Sequence, residues 1–235
     1  MYTDIHLVIE FFRGRFVTLP AQILTKLENV KAFVFDWDGV FNDGYKDNQG
    51  TSAFSEVDAM GTNLLRLNHF LRKGTPPIMA IISGEHNLAA RTLAAREHFN
   101  AVYSSIKHKR QAIEHLCATH GISPDEIMFV FDDVLDFSAA EMVGLRIMVA
   151  RSCSPLLTDY VEKHGLADYI TAHAGGAHAV RETAELLTGL TGLYADTIAH
   201  RTRYDETYQQ YLQLRNQPNP QFFTSKDLAI VSHEP

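Results

Sequence analysis

The sequence predicts an α/β fold, a doubly wound parallel sheet, and three observations lead there. Short apolar runs recur at Ala32-Phe33-Val34-Phe35, Ile78 to Ile82, Ile127 to Phe131 and Leu145 to Val149. Their hydrophobicity is continuous rather than alternating, as expected for strands covered on both faces. Amphipathic stretches separate them, so strand and helix alternate along the chain.

Pro20 to Asn29 reads as a short amphipathic helix leading into the first strand. After that strand the alternation breaks. Asn42 to Asp58 is rich in Gly, Asp, Asn and Ser, and Asp47-Asn48-Gln49-Gly50 reads as a turn, which predicts a β-hairpin inserted over the strand's end. Leu64, Leu67 and Leu71 then share one helical face. The strand Ile78 to Ile82 runs into Ser83-Gly84 and a helix beginning near His86. Lys109 opens the next helix, whose apolar face carries Ile113, Leu116 and Cys117 and whose end suits Gly121. Ser123-Pro124-Asp125-Glu126 has capping-box spacing with Pro at the first helical position. Beyond Gly192, the helical spacing of Tyr204, Tyr208, Tyr211 and Leu212 predicts a packed helix, followed by a loose tail. The expected organisation is therefore an N-terminal extension (1–30), a core (31–190, hairpin 42–58) and a C-terminal helix and tail (191–235).

Composition narrows the function classes. With 46% hydrophobic and 21% charged residues over 235 positions, the chain reads as an ordinary globular protein with room for a substantial core. A formal charge of -7 gives no electrostatic reason to expect nucleic acid or an acidic membrane as partner. Two cysteines far apart, Cys117 and Cys153, make neither a disulfide framework nor a CxxC motif. Asp4, Glu10 and Arg13 interrupt the N-terminal apolar stretch, which makes a poor signal peptide. A cytoplasmic location is the expectation, with no membrane span.

The chemistry gathers where strands stop. Asp36-Trp37-Asp38-Gly39 places two carboxylates two residues apart at a strand's carboxyl end, where open α/β sheets bind ligands. Taken alone, such a segment reads equally well as a turn. A second strand also ends in acid, Asp132-Asp133, with Asp136 close behind. If the two strands are neighbours, the excess negative charge calls for a hard divalent cation, and Mg²⁺ prefers oxygen ligands. Helix capping accounts for one of these acids but not for all. Ser83 and Gly84 suit a phosphate oxygen, or a plain helix cap. Lys109 opposes the dipole of the helix it opens, which is better explained by a nearby anion.

In this order the residues resemble the four signatures of the haloacid dehalogenase superfamily: DWDG, then Ser83, Lys109, and Asp132-Asp133 with Asp136. DGVFNDG (38–44), FSEVDAMG (54–61) and GGAHAVRE (175–182) further resemble the 3-deoxy-D-manno-octulosonate 8-phosphate phosphatase group, over about Leu24 to Leu187. That resemblance implies a fold of the haloacid dehalogenase type with a β-hairpin in place of a large cap. It implies Asp36 as nucleophile and Asp38 as general acid and base. Mg²⁺ would be held by the carboxylates of Asp36 and Asp132 and the carbonyl of Asp38, with Ser83, Gly84 and Lys109 on the phosphoryl group and Asp133 and Asp136 outside the ligand set. The expected substrate is a small-molecule phosphate ester, a sugar or sugar-acid phosphate. The expected assembly is a homo-oligomer, a tetramer, with the hairpin at an interface.

The sequence departs from the pattern at Glu85, Val57, Ala59, Phe131, Leu135 and His178. Glu85 and Val57 replace arginines, so repulsion of a sugar acid by Glu85 is an expectation. Two other readings remain: a degenerate member that binds without turnover, and a response-regulator receiver, which the DWDG motif on a single strand disfavours.

Overall fold

The computed structural model describes residues 8–227 and 229–233; the first seven residues of the N-terminal extension lie outside them. The first half of the chain contributes β1 (Arg15–Phe16), α1 (Pro20–Asn29), β2 (Ala32–Asp36), α2 (Glu56–Lys73), β3 (Ile78–Ile82), α3 (Leu88–Arg96), β4 (Ala101–Ser104) and α4 (Arg110–His120). There follow β5 (Ile127–Phe131), α5 (Phe137–Ala140), β6 (Leu145–Met148), α6 (Pro155–His164), β7 (Tyr169–Ile170) and α7 (Ala179–Leu190). The chain closes with α8 (Tyr194–Arg203), α9 (Glu206–Arg215), β8 (Gln221–Lys226) and β9 (Ala229–Ser232).

Among the described residues the strands form one sheet in the order β1-β7-β6-β5-β2-β3-β4-β8-β9. The strands from β7 to β8 are parallel, and only β1 and β9 run antiparallel at the two edges. From β2 the chain winds outward through β3 and β4, then returns to β5 on the other side and winds outward through β6 and β7. The reversal lies between β2 and β5, which pair in parallel from Ala32↔Ile127 to Phe35↔Val130. Their carboxyl ends therefore open side by side at the switch point.

Strand periodicity divides the core into two layers. Phe33 and Phe35 of β2 face a cluster with Ile23 and Leu27 of α1, Leu93 of α3 and Leu186 and Leu187 of α7. Ala32 and Val34 face the opposite cluster, with Ile113 and Leu116 of α4 and Val161 of α6. Every residue of β2 is buried, which is why its sequence is apolar until Asp36.

Three expectations are corrected. Segment 42–58 makes the turn but no strand ladder. Asp47 Oδ1 accepts from the amides of Gln49 and Thr51, closing a tight loop. Ser55 then caps α2 by accepting from Val57 N, so the helix takes the residues a return strand would need. The loop is held instead by Trp37, which is fully buried, stacks on Phe41 with ring centroids 4.9 Å apart, and donates its indole N–H to Ser52 O. The second correction concerns α3, which starts at Leu88 rather than His86, because Asn87 rather than Ser83 accepts from its first amides. The third concerns the tail. Tyr204 takes a left-handed conformation that ends α8, α9 packs Tyr208 and Tyr211 on Leu67 and Phe70, and β8 joins β4 in parallel. At Ser123 the capping box forms, but on a single 3-10 turn.

Candidate active site

The carboxyl ends of β2 and β5 bring Asp36 and Asp132 together, and the turn Val134–Asp136 carries Asp136 to the same place. All three are buried, and one carboxylate oxygen of each lies within 4.8 Å of the others. Asp133 caps this turn, accepting from Val134 N while Asp136 Oδ2 accepts from Asp133 N; Asp133 itself is half-buried. Lys109, the residue before α4, is 3% exposed and pairs with both Asp36 and Asp136. A buried cation flanked by two carboxylates explains why a lysine stands at a helix N-terminus.

Burial pushes the Asp36 carboxyl up to about 6 although Lys109 opposes the shift. Asp132 rises further, to about 9, through burial and then through the charges of Asp36 and Asp136, with Arg151 opposing. Burial alone would lower Lys109, but Asp36 and Asp136 outweigh it and hold the ammonium charged. Asp132 Oδ2 and Asp136 Oδ1 are buried, and their polar contacts are the ion pairs with Arg151 and Lys109. Three buried carboxylates crowded in this way fit a hard divalent cation such as Mg²⁺.

Asp38 is placed differently from the other acids. Its carboxylate turns away from the cluster, accepting from Ser52 Oγ at 2.6 Å and pairing with Lys46 Nζ at 2.5 Å. It lines the cavity of about 310 Å³ that also contacts Asp36, Gly84, Glu85, Lys109 and Asp132. Ser83 is buried at the carboxyl end of β3 and its Oγ accepts from Glu85 N; Gly84 rather than Ser83 lines the cavity. Glu85 is not a bare anion: Lys107 Nζ sits 2.5 Å from it and holds its carboxyl below the usual range, which weakens the expected repulsion.

Three residues at the site escaped the sequence reading. Lys46 and Ser52 lie in an aperiodic loop that carries no pattern. Arg151 contacts Asp132 and Asp133, and it follows β6, the next strand over from β5. Extending the strand-end rule to that strand would have found it. Away from the cluster, Cys117 and Cys153 are free, and His173 pairs with Glu182 while His178 lies near Asp58. No helix among the described residues is long and apolar enough to cross a membrane.

No family model matches the chain. The 3-deoxy-D-manno-octulosonate 8-phosphate phosphatase of Escherichia coli K12 is 32% identical over 173 residues, covering 72% of this chain and 85% of that protein. The chain belongs to the haloacid dehalogenase superfamily, in the 3-deoxy-D-manno-octulosonate 8-phosphate phosphatase group. Membership makes it a phosphoric monoester hydrolase by class, with Mg²⁺ the cofactor its acids fit. The solved Moraxella catarrhalis phosphatase of this name, in complex with magnesium ion, phosphate ion and a KDO molecule, is 28% identical. It matches at a TM-score of 0.63, covering 77% of this chain and 98% of that one. The Yersinia pestis phosphatase is 27% identical at a TM-score of 0.59, covering 76% and 89%.

Proposed function

We propose that this haloacid dehalogenase superfamily member hydrolyses a small sugar phosphate or sugar-acid phosphate, such as 3-deoxy-D-manno-octulosonate 8-phosphate, through an aspartyl phosphate on Asp36. The observation that carries the reading is the ion pair of Asp36 with Lys109, buried beside Asp132 at the switch point. Lys109 keeps the Asp36 carboxylate ionised and turned toward the cavity, and then faces the phosphoryl oxygens. Asp36 attacks phosphorus while the P–O ester bond breaks. Asp38 gives its proton to the departing alkoxide, then takes one from the water that cleaves the aspartyl phosphate. Asp38 must part from Lys46 to do so, which ties protonation to movement of the loop. Gly84 and Ser83 would hold phosphoryl oxygens. Asp36 and Asp132 would hold Mg²⁺ with the Asp38 carbonyl, or with Asp136, whose carboxylate lies in the cluster. The ion supplies positive charge that offsets repulsion between nucleophile and phosphoryl group.

Cations for an anionic substrate stand at the mouth of the site, each paired with an acid in the free protein: Lys107 with Glu85, Lys46 with Asp38 and Arg151 with Asp132. We also read the chain as a cytoplasmic homotetramer built on a core at 31–190 between its two extensions. Tyr45, 81% exposed in the loop, marks a surface that a neighbouring subunit would cover.

The test is phosphate release from a panel of sugar phosphates and sugar-acid phosphates, with and without Mg²⁺, beside Asp36→Asn. Metal-dependent release that Asp36→Asn abolishes is expected. Release that survives Asp36→Asn would give the nucleophile to another residue, and a folded protein inactive on the whole panel would point to a binding role.

A further inference from the structure

Arg151 takes no part in the bond-making steps above, yet its guanidinium reaches into the acidic cluster. Nη2 contacts Asp132 Oδ2, and Nη1 lies 3.7 Å from Asp133. The backbone makes room for it. Gly39 has positive φ, and a Cβ on it would fall 2.2 Å from Arg151 Nη2. Arg151 also lines two cavities. One is the catalytic cavity of about 310 Å³, and the other, of about 200 Å³, is lined by Asn42, Asp43, Ser152 and Gly175. The guanidinium, 30% exposed, therefore has space on either side of its present position.

We propose that Arg151 is a metal-gated anion clamp: it competes with the divalent cation for Asp132 and, once displaced, binds the anionic substrate in the catalytic cavity. The inference rests on the phosphatase reading above. Two cations cannot share one buried carboxylate oxygen without strong repulsion, so either the guanidinium or the metal contacts Asp132 Oδ2. A displaced arginine keeps its charge and its planar donors, which match a phosphoryl group or carboxylate two bonds at a time. Metal and anion then bind with positive coupling, because each favours the same swung-out position of Arg151.

Mn²⁺, which is visible by electron paramagnetic resonance, tests this on the full chain. Arg151→Gln should bind Mn²⁺ more tightly than the wild type, within the roughly 5- to 150-fold range of typical site-to-site coupling. Lys107→Gln also removes one positive charge at the mouth but does not touch Asp132. It should change the affinity by less than about fivefold, the scale of an exposed ion pair. In the Mn²⁺-loaded protein, Arg151→Gln should bind inorganic phosphate about tenfold more weakly, the loss of a charge-assisted hydrogen bond. Arg151→Lys keeps the charge without the planar fork and should fall between the two in both measurements; it serves also if the Gln variant fails to fold. Mn²⁺ binding no tighter in Arg151→Gln than in Lys107→Gln, or unchanged phosphate affinity, overturns the clamp. If the wild type and the variants all bind no Mn²⁺, the phosphatase reading itself falls; if all bind it equally, only the clamp does.

Discussion

Gly39 shows how much of the site depends on single backbone positions. Its φ of +86° turns the chain after Asp38, and a Cβ there would lie 2.1 Å from Asp132 Oδ2. Alanine at this position meets both a left-handed backbone and a buried carboxylate that its methyl group would displace. Gly39→Ala is expected to cost about 1–2 kcal/mol from the backbone alone. It should also weaken Mg²⁺ binding by displacing Asp132, so urea unfolding in chelator and a Mg²⁺ titration should both register the change. A variant with normal metal affinity would mean that Asp132 is not held where the turn places it. Asp36, Asp38, Asp132 and Lys109 were legible in the sequence because each stands where a periodic element begins or ends, and such boundaries can be read from composition. Lys46 and Ser52 sit in a loop, where position is set by tertiary contacts such as the Trp37 indole bond to Ser52 O, whereas Arg151 lies just past the end of β6, within reach of the same boundary rule. The same difference explains Glu85: its charge was visible in the sequence, but its partner Lys107, 22 residues away, was not.

At the scale of elements, long apolar runs such as Ile127–Phe131 were readable because both faces of a central strand are buried. β4 was not, since it has only four residues, and β8 has a half-buried run, Phe222 to Ser225, of which only the first two residues are apolar. The hairpin reading failed for a related reason. Turn residues identify a turn, but only the space left before the cap of α2 decides whether a ladder follows. The tail's packing can be tested. Phe223 stacks on Tyr103 with centroids 5.0 Å apart, Phe222 lies under the Arg91 guanidinium at 4.4 Å, and β8 covers the edge of β4. Ending the chain at Gln217 removes this cover and leaves the β4 edge unpaired. Two half-buried phenylalanines contribute on the order of 2–3 kcal/mol, so the truncated protein should melt roughly 4–12 °C lower and aggregate more readily. An unchanged melting temperature would show that β8 rests on the sheet without supporting it.

For the molecule as a whole, the acidic cluster couples stability to pH and to metal. The Asp36 and Asp132 carboxyls are raised to about 6 and about 9, so the metal-free native state binds protons that the unfolded chain has already released. Their contribution to stability is complete below the ordinary carboxylate pKa of about 4 and is lost as pH climbs through about 6 and then about 9. A divalent cation bound to the same oxygens replaces those protons. Its advantage over the metal-free state must therefore grow as pH rises, because fewer protons compete for the site. Groups far from the site, such as Asp168 with its Arg146 and Lys26 partners, titrate alike with and without metal and cancel in the comparison. The melting temperature in saturating Mg²⁺ minus that in chelator should widen steadily between about pH 6 and pH 9. Over the same range, calorimetry in buffers of different ionisation enthalpy should detect proton release on Mg²⁺ binding. A difference that stays constant or narrows with rising pH would mean that the ion does not bind at Asp36 and Asp132, and the mechanism built on those two carboxylates would have to be moved to another site.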